Sequence, residues 1–171
     1  MSCRKARVED IEQIMRIAQD AKQYMKENKV DQWTENYPVA ENIISDIQQE
    51  VCYVWEENRV VYGMMALTFD GEEVYGGIQE GNWNTEEPYG TIHRFAVSKE
   101  ARGKGIAQKL EQAAEEMCKQ NEIFSLRVDT HRHNQTMRKF LEKRGYQFCG
   151  LVYYEEKEGE SERLAYDKII K

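Results

Sequence analysis

From Asp10 onward, apolar side chains recur three or four residues apart at Ile11, Ile14, Met15, Ala18, Ala21 and Met25, the repeat of a helix that buries one face. The spacing predicts a helix opened by Asp10 as its N-cap. Ahead of it, "CRKARV" alternates weakly and reads as an opening strand. After the polar, aromatic turn "DQWTENYP", Ile43, Ile44 and Ile47 mark a second, short helix. "VCYVWEENRVVYGMMAL" then gives two β-rich runs, a hairpin joined near Glu57 and Asn58.

Residues 70–88, "DGEEVYGGIQEGNWNTEEP", carry many acids and glycines without a helical period and read as a variable loop. Long loops in compact domains are often functional. "YGTIHRFAV" is a strand, and Ile106, Leu110, Ala113, Ala114 and Met117 form the next helical stripe. "IFSLRVDT" is a strand with Phe124, Leu126 and Val128 on one face. Asn134 opens a helix with Met137, Phe140 and Leu141 inward, closed by Gly145 in the left-handed position helices favour at their ends. "YQFCGLVYY" and "ERLAYDKII" pair around the charged turn "EEKEGES". Strands alternating with helices, without repeats, predict one α/β (α+β) domain over residues 1–171.

Composition narrows the class. The net charge of −7 and pI of about 5.2 argue against a nucleic-acid partner, which would need a basic face. No stretch approaches the length of a membrane span, and "MSCRKARVED" has no apolar signal run, so the expected location is the cytoplasm. Cys3, Cys52, Cys118 and Cys149 are scattered, at neither metal-ligand nor redox spacing, and are expected to be reduced.

Against this acidic background, "KEARGKGIA", Lys99 to Ala107, concentrates positive charge and two glycines between a strand and a helix. Glycines let a backbone approach an anion, and the first N–H groups of the helix point at it. The spacing does not fit an ATP-binding P-loop. A dinucleotide turn, with Asp129 as ribose ligand, fits poorly, because Ser98 to Arg102 separate the strand from Gly103 and Gln108 occupies the third glycine's place. A plain helix-opening turn stays open on this stretch alone.

With strand "HRFAV", turn "RGKGIA", strand "LRVDT" and then "HRHNQTMRKFLEKRGYQFCG", the sequence resembles the GNAT superfamily of acyl-CoA-dependent N-acetyltransferases. Arg102, Gly105 and Ala107 stand at the fixed positions of that family's Arg/Gln-x-x-Gly-x-Gly/Ala signature, and the likeness is strongest over residues 89–154. The resemblance implies a mixed, strongly twisted sheet of six to seven strands with helices on both sides, split between the strands ending at Val97 and Asp129. Acetyl-CoA would lie in the split as acyl donor, with no metal. Arg102, Gly103, Lys104, Gly105, Ile106 and Ala107 would hold its pyrophosphate, while Phe95, Ala96, Val97 and Asn134 would meet its pantetheine.

The implied reaction is direct attack of an amine, on a small molecule or a peptide, upon the thioester. A backbone N–H near Phe95 to Val97 would polarise the carbonyl. Where many members carry a glutamate base this sequence has Thr91, and where they carry a tyrosine acid it has Leu141. His93, placed by alternation on the face of Thr91, Phe95 and Val97, is then either the base or a structural histidine. Tyr153, with Tyr154 or Tyr37 as alternatives, is the candidate acid, unless the thiolate leaves unaided. Trp33 and Tyr37 are candidate acceptor contacts, and Glu72, Glu73, Glu86 and Glu87 offer negative charge. His131 and His133 read as loop or capping residues rather than metal ligands. A homodimer is an expected assembly, and an acyl-CoA sensor without catalysis is the alternative function.

Overall fold

The computed structural model describes residues 2–155 and 161–171. Most of the charged turn read at "EEKEGES" therefore lies outside the described residues. The elements run β1 (Ser2–Lys5), α1 (Ile11–Glu27), α2 (Ala40–Gln48), β2 (Cys52–Glu57), β3 (Val60–Thr68), β4 (Gly90–Val97), α3 (Ile106–Gln120), β5 (Ser125–Thr130), α4 (Gln135–Lys143), β6 (Gln147–Tyr153) and β7 (Glu162–Ile169). The strands form one sheet in the order β1-β2-β3-β4-β5-β7-β6, antiparallel throughout except for the parallel pair β4 and β5.

Each element follows from its side chains. The α1 stripe buries Ile14, Ile17, Ala18 and Met25 against Val54, Met64 and Ala96 of the sheet. Each fully buried isoleucine there contributes about 1.5–3 kcal/mol. Asp10 does not cap α1 as expected. It is itself helical, and its carboxylate turns back to accept from Arg7 N–H at 2.7 Å and from the Arg4 guanidinium at 2.8 and 2.9 Å. It thereby closes the 3-10 turn Val8–Asp10 that leads into the helix. The β2–β3 hairpin turns at Asn58 and Arg59, both at positive φ, as the two-residue turns that match strand twist require.

On the opposite face, α3 and α4 cover Met65, Leu67, Ile92, Leu126, Val128, Leu164 and Tyr166. Because β5 is sandwiched between strands and covered on both faces, four consecutive residues, Ser125 to Val128, are buried. Phe124 lies before the strand and is 52% exposed, contrary to the expectation that it shares the buried face.

The 70–88 segment, read from sequence as a variable loop, is packed. It holds a 3-10 turn, Glu73–Gly77, and sends Tyr75 and Trp83 into a third core with Cys149, Val152, Tyr154 and Ala165. Arg127 pins it, with its guanidinium 4.1 Å from the Trp83 ring centre and 3.8 Å from that of Tyr89, while Nη2 donates to the Thr85 carbonyl at 2.8 Å. The segment thus does for β5, β7 and β6 what α1 and α2 do for the first four strands.

Candidate active site

The site begins with an irregularity in β4. Ala66 of β3 pairs with His93 and Met64 with Ala96, so Met65 faces both Arg94 and Phe95. This is a β-bulge. Arg94 takes φ +46°, a region that costs a residue with a side chain about 1–2 kcal/mol. Its guanidinium offsets that cost, donating through Nε and Nη2 to the Asp46 carboxylate at 2.5 and 2.9 Å and through Nη1 to the Tyr37 hydroxyl at 2.8 Å. Burial opposes the charge, but Tyr37 and Asp46 outweigh it and hold Arg94 above the ordinary arginine range.

The extra residue also reverses the side-chain phase. Ile92, Phe95 and Val97 pack on the α3–α4 side, whereas Ala96 packs under α1. His93 is opposite Ala66, two residues from Met64, and therefore lies on the α1 side with Thr91. It does not share a face with Phe95 and Val97, as strict alternation predicts.

Beside the bulge the sheet opens. β4 and β5 pair only at Gly90–Leu126 and Thr91–Arg127. Two residues further along each strand, His93 and Asp129 stand on one face, on either side of the split. Both line a cavity of about 60 Å³ with Gln32, Trp33, Tyr37 and Tyr154. Asp129 Oδ2 accepts from the Tyr75 hydroxyl at 2.7 Å and the Tyr154 hydroxyl at 2.5 Å. Burial, followed by the Asp129 charge, pushes both phenols far above their usual value. Tyr154 is therefore a weak proton donor. On the other side, His93 Nε2 lies 3.7 Å from Glu72 Oε2, supplied by the 70–88 segment.

A groove of about 370 Å³ continues from this cavity between α1 and α4, along Phe95, Ala96 and Val97 to Arg102 and Ala107. The two hollows share Met25, Phe95, Asn134 and Met137, so they adjoin. At its far end Gly103 and Gly105 take φ +80° and +74°, and a Cβ on either would meet nothing within 4 Å. The turn therefore needs glycine for its backbone and leaves open space before the first N–H groups of α3. Arg102 stands 5.7 Å from the Tyr24 ring centre. Tyr24, in turn, hydrogen-bonds Thr136 from α1 to α4.

A sequence model of the acetyltransferase (GNAT) family matches residues 11–146. The chain belongs to the GNAT acetyltransferase family. Its structure is similar to that of a GNAT-family acetyltransferase from Streptococcus agalactiae 2603, with 35% identity, a TM-score of 0.88, and coverage of 99% of this chain and 95% of that one. A putative acetyltransferase from Staphylococcus aureus Mu50 is 27% identical at TM-score 0.75, with both chains covered fully, at 100%. The PaiA N-acetyltransferase of Thermoplasma acidophilum, solved in complex with coenzyme A, shares the fold at 17% identity and TM-score 0.72, with 98% of each chain covered. No curated protein matches the chain by sequence.

In this GNAT chain the residues singled out from sequence are partly gathered and partly dispersed. Phe95, Ala96, Val97, Arg102, Ala107 and Asn134 line the groove, with Gly103, Lys104, Gly105 and Ile106 in the turn and helix start beside it. Asn134 caps α4, accepting from Met137 N–H at 3.2 Å. His93, Trp33 and Tyr37 line the cavity. Tyr153 does not. It is 38% exposed and borders an outer hollow with Glu73, Val74, Gly77, Gln79 and Glu155, because strand alternation turns it away from its neighbour Tyr154. Leu141 is core. Thr91 is buried, and its hydroxyl has no hydrogen-bond partner among the described residues. His131 is a loop brace, its Nδ1 accepting from His133 N–H at 3.0 Å.

Sequence reasoning missed the roles of Asp46, Arg94, Glu72 and Asp129. One signal was present: Asp46 falls three residues after Ile43 and one before Ile47, inside the apolar stripe of α2, where a charge implies a buried partner. Glu72 and Asp129 reach the site only through tertiary contacts.

Proposed function

We propose that this GNAT protein transfers an acetyl group from acetyl-CoA to a primary amine of a small molecule or peptide. The observation that carries this reading is the pair of adjoining hollows that lead from the glycine turn to His93 and Asp129. The residues fit the donor at both ends. Space is open in front of Gly103 and Gly105, where Arg102, Lys104 and the N–H groups of Ile106 and Ala107 suit a pyrophosphate. The β4 edge, unpaired with β5 beyond Thr91, offers Phe95, Ala96 and Val97 to an extended amide chain as an added strand would use them. Asn134 lines the same groove.

Acetyl-CoA, when bound, supplies a thioester carbonyl for the amine to attack. On the protein side, the bulge at Arg94 interrupts the β3–β4 register, and a backbone N–H freed from the ladder there would donate to the developing oxyanion. Arg94 holds that bulge through Asp46 and Tyr37. His93 takes the amine's proton, with the Glu72 carboxylate 3.7 Å from its Nε2. Trp33 and Tyr37 form the acceptor wall. No tyrosine acid is needed, because a thiol with a pKa of about 8–9 is a tolerable leaving group as thiolate. This sits well with Tyr154 being tied to Asp129.

The test is thiol release from acetyl-CoA across a panel of primary amines. Amine-dependent, saturable release is expected, and tight CoA binding without release from any amine would overturn the reading in favour of a sensor. A His93→Gln variant should lose the acid limb of the kcat/KM profile while still binding CoA. An unchanged profile removes His93 as the base.

A further inference from the structure

We propose that Asp129 selects the acceptor, docking the ammonium of an aliphatic amine that has no carboxylate near it. This deepens the transferase reading and rests on it for the site's location, though its test does not depend on turnover. Asp129 stands across the split from His93 and lines the cavity next to the bulge. Its Oδ2 is used by two neutral donors, Tyr75 and Tyr154, which aim the carboxylate without cancelling its charge. Tyr75 is fully buried and Tyr154 nearly so, so the aim is rigid.

The other charges of the cavity lining are already matched. Arg94 is held by Asp46 and His93 has Glu72 beside it. Asp129, by contrast, takes part in no ion pair among the described residues. A cationic amine entering the cavity supplies the missing counter-charge. An amino acid would bring a second carboxylate to a lining whose one arginine is already paired, leaving that carboxylate desolvated and facing Asp129. The cavity's volume of about 60 Å³ also favours a slender alkyl amine over a branched one. Proton removal remains with His93, and Asp129 acts on binding.

The experiment uses three probes of equal chain length, propylamine, 1,3-diaminopropane and β-alanine, titrated calorimetrically into the CoA-saturated protein. A charge-assisted contact predicts that the two carboxylate-free amines bind roughly tenfold or more tightly than β-alanine. This comparison needs no variant. In Asp129→Asn, which keeps the side-chain shape and an oxygen for the tyrosines, the preference should shrink to about threefold or less. In turnover the change should fall on KM rather than kcat. In Tyr154→Phe, which keeps the charge, the preference should persist. Equal binding of β-alanine and propylamine by the native protein, absence of diamine binding, or a preference that survives in Asp129→Asn would each overturn the assignment. Selective, Asp129-dependent binding without thiol release would uphold it and sink the transfer reading instead.

Discussion

Replacing Asp46 by alanine tests how the bulge at the centre of the cleft is held. The substitution leaves the Arg94 guanidinium, whose side chain is 19% exposed, without its counter-charge. It also removes the two hydrogen bonds of 2.5 and 2.9 Å. Stranding one partner of a buried pair costs about 3–5 kcal/mol, which for a chain of this size is a fall of roughly 6–20 °C in Tm. Arg94→Gly strands the Asp46 carboxylate, 9% exposed, at similar cost, but regains about 1–2 kcal/mol because glycine tolerates φ +46°. The double variant buries no unpaired charge. It should therefore lose less than the two single losses combined, with a coupling of about 2–3 kcal/mol in the upper range seen for contacting residues. Urea denaturation of all four proteins measures this directly. A coupling below about 0.5 kcal/mol would mean that the pair does not hold the strand, and the reasoning would fail. Loss of aim in the bulge should also cut kcat at least tenfold in Asp46→Ala, since catalytic donors act only when correctly placed.

Three further outcomes follow from individual residues. Gly103→Ala and Gly105→Ala should each cost about 1–2 kcal/mol through their left-handed backbone alone, as neither new methyl meets an atom within 4 Å; CoA affinity measured by calorimetry should fall roughly tenfold or more, and unchanged affinity would remove the turn from the donor site. Burial pushes the thiols of Cys52, Cys118 and Cys149 up to about 12 and that of Cys3 to about 11, so Ellman's reagent at pH 8 should find almost no fast-reacting thiol until the protein is unfolded. The hydrogen-bonded Arg4 guanidinium holds Asp10 below the usual aspartate value. The native state therefore binds fewer protons there than the unfolded chain, and the stability Asp10 contributes is present above pH 4 and lost as pH falls through its native value. Tm measured from pH 5 to pH 3 should drop more steeply in the parent than in Asp10→Asn, and parallel curves would contradict this.

Features set by local chemistry were legible in the order of the residues. Apolar spacing located α1 to α4, alternation located the strands, and the glycines at 103 and 105 beside Arg102 marked the turn that opens α3. These signals are short-range: a helical stripe or a turn is written in residues three to seven apart, and the sequence holds them in order. Gly145, expected to end α4, does so at φ +93°.

Folding in three dimensions set the features made by one residue too many or by residues far apart. The bulge at Arg94 shifts the phase of β4, so the face assigned to His93 by alternation was wrong beyond that point. Nothing in "TIHRFAV" announces the bulge, because its stabilising partners, Asp46 and Tyr37, lie on α2 and the loop before it. The acids of the 70–88 segment suggested solvent, yet Tyr75 and Trp83 carry it into a core and bring Glu72 to His93. Asp129 meets Tyr75 and Tyr154 across 54 and 25 residues of chain. A site assembled at a split between parallel strands draws on both sides of a long crossover, and sequence proximity carries no record of which side chains the split will bring face to face.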